Sequence, residues 1–217
     1  MQVHHLGLGH SILNQFIYEL RDEVLQKDPM RFRRNIERIG EVLCYEFSKT
    51  LAYESREVKT PFGVTSMEVP VTPIVLCSVL RAGLPLHQGM LNYFDRAENA
   101  FISAYRVHPD GKDNFEVVVR YFAAPSLEGK TLVLTDPMLA TGKTLENVMS
   151  ALEPHGNPAQ IHIVSVIGSR AGVERVKSIF PDSTHLWIAA IDEELTSRGY
   201  IIPGLGDAGD LSFGEKL

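Results

Sequence analysis

Residues 130–152 combine three local patterns that together predict an anion-binding turn between a buried strand and a helix. Residues 130–135 form a short apolar run, rich in Val and Leu, that stops at Asp136 and Pro137. A polar loop follows, and residues 145–152 then repeat apolar side chains with helical spacing. The loop amides and the positive end of the helix dipole meet at one point, and both favour negative charge.

Three interpretations fit this loop, which runs from Asp136 to Thr144. In the first interpretation, the loop is a plain turn whose threonines cap the helix. Alternatively, Gly142-Lys143-Thr144 ends a triphosphate-binding loop of the form G-x-x-x-x-G-K-[ST]. Pro137 stands where that pattern needs its first glycine, and proline lacks both the backbone donor and the glycine geometry. In the third interpretation Asp136 faces ribose hydroxyls while the loop amides hold a 5′-phosphate, which suits a phosphoribosyl group.

The third interpretation agrees with a resemblance to a known family. Residues 136–142, Asp-Pro-Met-Leu-Ala-Thr-Gly, resemble the loop for phosphoribosyl pyrophosphate (PRPP) in the uracil phosphoribosyltransferase family, within the type I phosphoribosyltransferase superfamily. Lys143 departs from the glycine of that family, although Thr-Gly-Lys-Thr occurs in other branches such as the hypoxanthine enzymes. The resemblance implies that PRPP is bound by Asp136, Pro137, Met138, Leu139, Ala140, Thr141, Gly142, Lys143 and Thr144.

Composition limits the class of protein. The chain has 217 residues, 44% of them apolar, which suits one α/β domain. A net charge of −6 disfavours nucleic acid and anionic membranes as general partners. Cys44 and Cys77 lack C-x-x-C spacing, which argues against zinc and against a disulfide scaffold. With no apolar segment near about 18 residues and no basic N-terminal region before an apolar one, we expect a cytoplasmic protein.

The first 53 residues are predicted to form an N-terminal helical segment. Apolar side chains recur at helical spacing in residues 11–26 and again in residues 30–53. The N-terminal histidines lack a second cluster of metal ligands, so a solvated arm is predicted instead of a metal site. The second helix has arginines in its first turn, against the helix dipole. They indicate either an anionic effector or subunit contact, or a solvated basic patch: Arg31, Arg33 and Arg34.

Two predicted strands end in arginine. A hairpin is expected at residues 58–71, followed by a buried strand at 74–80 that ends at Arg81. Residues 100–105 form another apolar run, which ends at Arg106. Open parallel sheets bind ligands at the carboxyl ends of their strands, and guanidinium groups suit diphosphate. The resemblance assigns both arginines to PRPP.

Residues 107–129 break the alternation of strands and helices and are predicted to form a lid beside the phosphate site. Turn-forming residues and a β-prone run at 116–122 make up this excursion. The family has Lys-Leu-Pro where this chain has Ala-Ala-Pro at residues 123–125, so one lid cation is missing. Arg120 and Lys112 are candidates to replace it.

The remaining alternation, with helices at 84–94 and 170–180 and strands at 160–168 and 185–191, predicts the fold class. It is α/β, with a doubly wound, mostly parallel sheet flanked by helices in one domain. The resemblance implies the type I phosphoribosyltransferase fold, with a β-rich lid excursion and a C-terminal base-binding segment at residues 199–217.

The C-terminal segment contains Gly204, Gly206 and Gly209, which match G-x-G-x-x-G. A dinucleotide fingerprint would need a helix and an acidic partner beyond it, and only eight residues follow Gly209. Dense glycine instead allows the backbone to approach a small flat ligand closely. The segment resembles the uracil-binding signature of the family. The resemblance implies that uracil is bound by Ile201, Gly206, Asp207 and Ala208, and that Asp207 also faces PRPP.

The resemblance implies pyrimidine salvage: uracil and PRPP give uridine 5′-monophosphate (UMP) and pyrophosphate. The implied catalytic group is Arg81, Arg106, Asp136 and Asp207, with Mg²⁺ carried in by PRPP and no metal ligand from the protein. A homodimer or homotetramer is expected from the family, and the sequence leaves open whether GTP acts as an effector. An RNA-binding pyrimidine regulator on the same fold and a P-loop phosphotransferase remain as alternatives.

Overall fold

The computed structural model describes residues 1–107 and 116–216, with the side chains of residues 104–107 and 116–120 outside the description. The strands, in chain order, are β1 Gln2–His5, β2 Tyr53–Thr60, β3 Gly63–Pro70, β4 Ile74–Leu80, β5 Glu98–Val107, β6 Glu116–Ala123, β7 Thr131–Thr135, β8 Met138–Leu139, β9 Gln160–Ser169, β10 His185–Asp192, β11 Glu194–Leu195 and β12 Ile201–Ile202. The α-helices are α1 Ile12–Arg21, α2 Pro29–Ser48, α3 Gly83–Leu91, α4 Lys143–Leu152, α5 Arg170–Ile179 and α6 Ala208–Phe213.

An eight-stranded sheet has the order β1-β10-β9-β7-β4-β5-β6, with β8 added to β9. Its pairings are parallel except that of β6, which runs antiparallel to β5. The chain moves outward from β4 to β5 and then returns to β7 on the other side of β4. This reversal is a topological switch point between β4 and β7, where doubly wound sheets bind ligands. The predicted fold class is confirmed.

Helices cover both faces of the sheet. Successive residues of its central strands point to opposite faces, so each strand contributes side chains to two separate cores. Leu76 of β4 and Val133 of β7 pack into one core with buried residues of α1, α2 and α3. Their neighbours Cys77 and Leu134 pack into a second core with residues of α4 and α5. Strands buried on both faces read as unbroken apolar runs, which is why the central strands were predictable from sequence.

Capping side chains set the bounds of the first two helices. Ser11 begins α1 by accepting a hydrogen bond from the amide of Leu13. The helix ends at Arg21, before the predicted residue 26, because Asp22 accepts hydrogen bonds from the next amides and turns the chain. Asp28 caps α2, which ends at Ser48 and not at residue 53.

The N-terminal segment was predicted to be a solvated arm, and this is wrong. Residues 2–5 form an edge strand that pairs in parallel with β10. The His4 ring stacks on Trp187 with 3.8 Å between ring centroids, and its Nε2 lies 3.0 Å from Nδ1 of His185. Backbone pairing and aromatic stacking therefore order this segment, which local composition does not reveal.

The arginines in the first turn of α2 have intramolecular partners. Arg31 forms a bidentate ion pair with the buried Glu19, and their side chains are 2.8 Å apart. Arg33 donates to the carbonyl of Ser212, and Arg34 pairs with Glu37. The contact of Arg31 joins α2 to α1 and that of Arg33 joins α2 to α6, whereas Arg34 pairs within α2 and is exposed.

The hairpin of β2 and β3 was correctly predicted around Pro61 and Phe62, with Thr60 opposite Gly63 across the turn. Each strand has eight residues, all exposed except one half-buried position in β3. The hairpin therefore projects from the body of the molecule. Across the described ranges, no helix is both long and apolar enough to cross a membrane.

Candidate active site

Arg81 and Asp136 follow adjacent parallel strands at the switch point. Ser78 of β4 pairs with Thr135 of β7, so the ends of these strands lie side by side. Gly83 allows the loop after β4 to pack against β7, since a Cβ there would lie 2.7 Å from Ser78 Oγ and 3.1 Å from the Thr135 carbonyl. The structure thus brings Arg81 and Asp136, both assigned to PRPP by the resemblance, to neighbouring strand ends.

The loop between β7 and α4 surrounds about 190 Å³ of space that opens to solvent. The residues predicted to bind PRPP, 136–144, line this space except for Pro137 and Lys143. Leu145 also lines it. The lining residues are Asp136, Met138, Leu139, Ala140, Thr141, Gly142, Thr144 and Leu145. Pro137 is buried and accepts a hydrogen bond from the amide of Ile167, while the side chain of Lys143 is exposed.

Gly142 starts α4 with φ +75°, a backbone conformation that glycine adopts without strain. Having no side chain, Gly142 cannot cap the helix, and the amide of Lys143 donates instead to Thr141 Oγ1 at 3.4 Å, as the capping interpretation of these threonines predicted. The side chain of Arg175 lies against Gly142, because a Cβ there would be 3.1 Å from Arg175 Cδ. The geometry fits an anion such as a phosphate at the start of α4.

Two serines of β9 fix the backbone of the loop after β7 by hydrogen bonds to its carbonyl groups. Neither serine was identified from the sequence. Ser165 Oγ donates to the carbonyl of Asp136 at 2.7 Å, and Ser169 Oγ donates to the carbonyl of Ala140 at 2.6 Å. Asp136 Oδ1 in turn accepts a hydrogen bond from the amide of Met138. The only sequence signal was the position of these serines in a run of otherwise apolar residues.

The C-terminal segment reaches the same edge of the sheet through Asp192, the last residue of β10. The amide of Gly204 donates to Asp192 Oδ2 at 2.8 Å. Ile201 pairs with Leu195, and its side chain is buried, as is that of Ala208. Gly206 is exposed with φ +85°. This segment can therefore present backbone groups to a flat ligand, but not the side chains of Ile201 or Ala208.

Asp207 begins the short helix α6, which corrects the expectation that no helix follows these glycines. Its Oδ1 accepts hydrogen bonds from the amides of Gly209 and Asp210 at 2.9 and 3.0 Å. Burial of the carboxyl raises its pKa, but these amides and the charge of Lys216 outweigh that effect, so the pKa of Asp207 is below its ordinary value. Asp207 is therefore a carboxylate at neutral pH.

Arg81 joins the two halves of the site directly. Its Nη2 is 2.8 Å from Asp210 Oδ1, and its Nη1 donates to the carbonyl of Gly214 at 3.2 Å. Lys216 lies 3.2 Å from Asp207 and 3.7 Å from Asp210. Sequence reasoning missed Asp210 and Lys216 as site residues. Asp210 directly follows Gly209 of the glycine-rich pattern, whereas no motif included Lys216.

Arg106 lies on β5, opposite Val117 of β6, and its side chain is outside the described residues. The same is true of the Arg120 side chain and of Lys112, the two candidates for the missing lid cation. Of the predicted lid, the described part is strand β6 and residues 124–129, which lead back to β7.

Known proteins are similar to this chain over nearly its whole length. The family model for uracil phosphoribosyltransferase matches residues 8–215. A uracil phosphoribosyltransferase from Porphyromonas gingivalis is 52% identical over 217 residues, which cover all of both chains. One from Methanothermobacter thermautotrophicus is 43% identical and covers 87% of this chain and 86% of its own.

A solved structure of the AQ2163 protein from Aquifex aeolicus superposes with a TM-score of 0.87 at 30% identity, covering all of both chains. The matched region includes the loop after β7, the Arg81 loop and the glycine-rich C-terminal segment. The match in sequence and fold extends over nearly the whole chain, and the chain belongs to the uracil phosphoribosyltransferase family.

Proposed function

We propose that this chain transfers the 5-phosphoribosyl group from PRPP to uracil and releases UMP and pyrophosphate, as in pyrimidine salvage. The observation that carries the proposal is the direct contact of Arg81 with Asp210. This contact supports the proposal because transfer requires the cation for the diphosphate to lie near the segment that binds the base. Membership of the family supports the same reaction.

The ribose phosphate binds at the loop after β7. Amides at the start of α4 and the hydroxyls of Thr141 and Thr144 hold the 5′-phosphate, since these donors line the space beside Asp136. The carboxylate of Asp136 accepts hydrogen bonds from the ribose hydroxyls. Ser165 and Ser169 keep the loop carbonyls turned away from the phosphate. Much of the rate enhancement comes from this positioning.

Uracil binds to the backbone of residues 201–208. Because the side chains of Ile201 and Ala208 are buried, they contribute amide and carbonyl groups, and Gly206 lets the backbone come close to the base. Asp207 keeps this turn in place and stays ionised, so it faces the positive charge that develops at the anomeric carbon. Uracil gives up its proton to water as the bond to the anomeric carbon forms and the bond from that carbon to the diphosphate breaks.

The departing diphosphate is stabilised by Arg81 and Arg106, whose guanidinium groups match its oxygens. Magnesium prefers oxygen ligands and commonly binds substrate phosphates while keeping several waters. In the ranges that the structure describes, no three histidine, cysteine or carboxylate groups are placed to hold a metal ion together. The donor set fits an ion delivered with PRPP, whose water ligands the Asp136 carboxylate would bind. When bound, the ion neutralises part of the diphosphate charge.

We also propose that two copies of the chain associate through the projecting hairpin of β2 and β3. An isolated two-stranded hairpin is marginally stable in water. Here it also exposes large apolar side chains, with Phe62 wholly exposed, and Val64 and Met67 more than half exposed. A second copy would cover these side chains and stabilise the hairpin.

The test measures UMP formed from uracil and PRPP with Mg²⁺. We expect steady turnover, lowered at least about 100-fold by Asp136→Asn, because that carboxylate positions the ribose. Asp95→Asn, which alters an exposed aspartate away from the site, serves as the matched control and keeps wild-type activity. The proposal fails if the wild-type protein forms no UMP and binds no PRPP. ATP hydrolysis without PRPP would support a phosphotransferase instead.

A further inference from the structure

Four charged side chains close a network at the meeting point of the Arg81 loop and the C-terminal segment. Arg81 pairs with Asp210, and Lys216 pairs with Asp207 at 3.2 Å and with Asp210 at 3.7 Å. The space beside Gly209 shows how closely the two cations approach. A Cβ there would lie 3.6 Å from Arg81 Nη2 and 3.9 Å from Lys216 Cε.

Both cations compete for one oxygen atom. Oδ1 of Asp210 is 2.8 Å from Arg81 Nη2 and 3.7 Å from Lys216 Nζ. Arg81 is held further by the carbonyl of Gly214. The guanidinium group proposed to bind diphosphate is therefore paired with a carboxylate of its own chain. To bind diphosphate it has to give up at least part of this ion pair.

The free-energy cost of breaking the Arg81–Asp210 ion pair depends on which charges surround Asp210 once Arg81 has turned to the substrate. The Asp210 side chain is 30% exposed, and it would lie beside a polyanionic substrate. An uncompensated carboxylate there repels the substrate and attracts Arg81 back. The Lys216 side chain is 58% exposed on a flexible stem, so it can shift by the small distance needed to take over Asp210.

We infer that Lys216 is a positioning residue for PRPP binding: it neutralises Asp210 and so frees Arg81 for the diphosphate. This inference rests on the proposed function. Lys216 acts on Asp210 and not on the substrate, so its effect should vanish when Asp210 carries no charge. A lysine that bound the diphosphate directly would be needed whether or not Asp210 were charged.

The test is a double-mutant cycle on the dissociation constant of PRPP, measured by titration calorimetry with Mg²⁺ at low ionic strength. We expect Lys216→Ala to weaken PRPP binding about five-fold, as is typical for loss of one partly exposed charge partner. Lys216→Arg restores binding. Asp210→Asn binds PRPP at least as tightly as wild type, and Asp210→Asn with Lys216→Ala returns to within about two-fold of wild type. Lys177→Ala, which alters another exposed lysine paired with a carboxylate, is the matched control without effect.

The melting temperatures of all variants show whether the fold is intact. The KM for uracil distinguishes an effect of Lys216 on PRPP binding from a general loss of packing in the C-terminal segment. The inference is overturned if Lys216→Ala binds PRPP as wild type does, or if Asp210→Asn fails to suppress its defect. An equal rise in the KM for uracil would also overturn it, because general disorder of the tail would then explain the loss. Failure of the wild-type protein to bind PRPP would overturn the proposed function as well.

Discussion

Arg21 and Asp192 form a bidentate ion pair across 171 residues of sequence, with both nitrogen–oxygen distances 2.8 Å. Asp192 also accepts a hydrogen bond from the amide of Gly204, and Arg21 donates a hydrogen bond to the carbonyl of the same glycine. The pair therefore holds the chain at Gly204, inside the proposed uracil-binding segment of residues 201–208. The Asp192 side chain is only 8% exposed, so little water competes for it.

Removing the charge of this clamp is expected to destabilise the fold and loosen the base site. In Asp192→Asn the amide nitrogen cannot accept the bonds that the carboxylate now accepts, and Arg21 loses its counter-ion. We expect a loss of about 2–3 kcal/mol in the free energy of unfolding, measured in urea, together with a higher KM for uracil. The neighbouring Glu193 forms an exposed bidentate pair with Arg170, so Glu193→Gln is the matched control. Equal effects of the two substitutions would contradict the assigned role of Asp192.

Gly142 and Gly129 both have positive φ, +75° and +69°, and they differ in what surrounds them. Alanine at either position should cost about 1–2 kcal/mol of stability. At Gly142 the new methyl group also meets the Arg175 side chain, whereas nothing lies within 4 Å at Gly129. We expect Gly142→Ala to weaken PRPP binding at least about ten-fold and Gly129→Ala to leave it unchanged. Urea unfolding and PRPP titration measure the two effects separately, and similar PRPP affinities for both variants would count against the phosphate site.

A cluster of histidines should make stability depend on pH. Burial and the nearby His185 and His4 lower the pKa of His162 to about 3. The pKa of His4 and that of His185 are also lowered, chiefly by desolvation. The unfolded chain protonates His162 near pH 6.5 and the folded chain does so only near pH 3, so stability is lost as the pH falls from 6.5 towards 3. The lowered pKa values of His4 and His185 act in the same direction. The slope approaches about 1.4 kcal/mol per pH unit for the buried His162, whereas solvent screening makes the contributions of His4 and His185 smaller.

Fluorescence of the single tryptophan, Trp187, provides the measurement, because its Nε1 donates to Nδ1 of His162 and it is buried. We expect the urea midpoint followed by this signal to fall steadily between pH 7 and pH 5. NMR titration of the histidine rings tests the cause. Ring signals of His162 that titrate near pH 6.5 in the folded protein would refute it.

The projecting hairpin predicts the behaviour of the oligomer. Replacing Phe62 and Met67 together by serine removes two exposed apolar side chains without altering the core. If a second copy covers them, the dissociation constant of the dimer should rise by at least about ten-fold, since burying one such side chain contributes about 1.5–3 kcal/mol. Tyr93→Ser changes an exposed aromatic residue elsewhere and is the control. Sedimentation velocity measures the equilibrium, and identical dimer stability in both variants would exclude the hairpin as the interface.

Local sequence predicted the central strands well, because a strand covered on both faces has to be apolar throughout. Residues 74–80 were predicted as a strand and form one with the same bounds. The start of α4 and the phosphate loop were equally accessible, since their amides, glycine and threonines are consecutive in the chain. Predictions failed where neighbours in sequence are not neighbours in space, as at the N-terminal strand, whose partner is β10.

The amino-acid sequence alone determined the alternation of strands and helices, the loop that can hold a phosphate and the glycine-rich segment that can approach a base. Each depends on residues within one short window, through backbone geometry and periodic burial. Only the tertiary structure decided that Arg81 meets Asp210 across 129 residues, that Lys216 joins them and that Arg21 clamps Asp192. These contacts depend on how the sheet orders its strands, because that order brings distant charges within a few ångströms of one another.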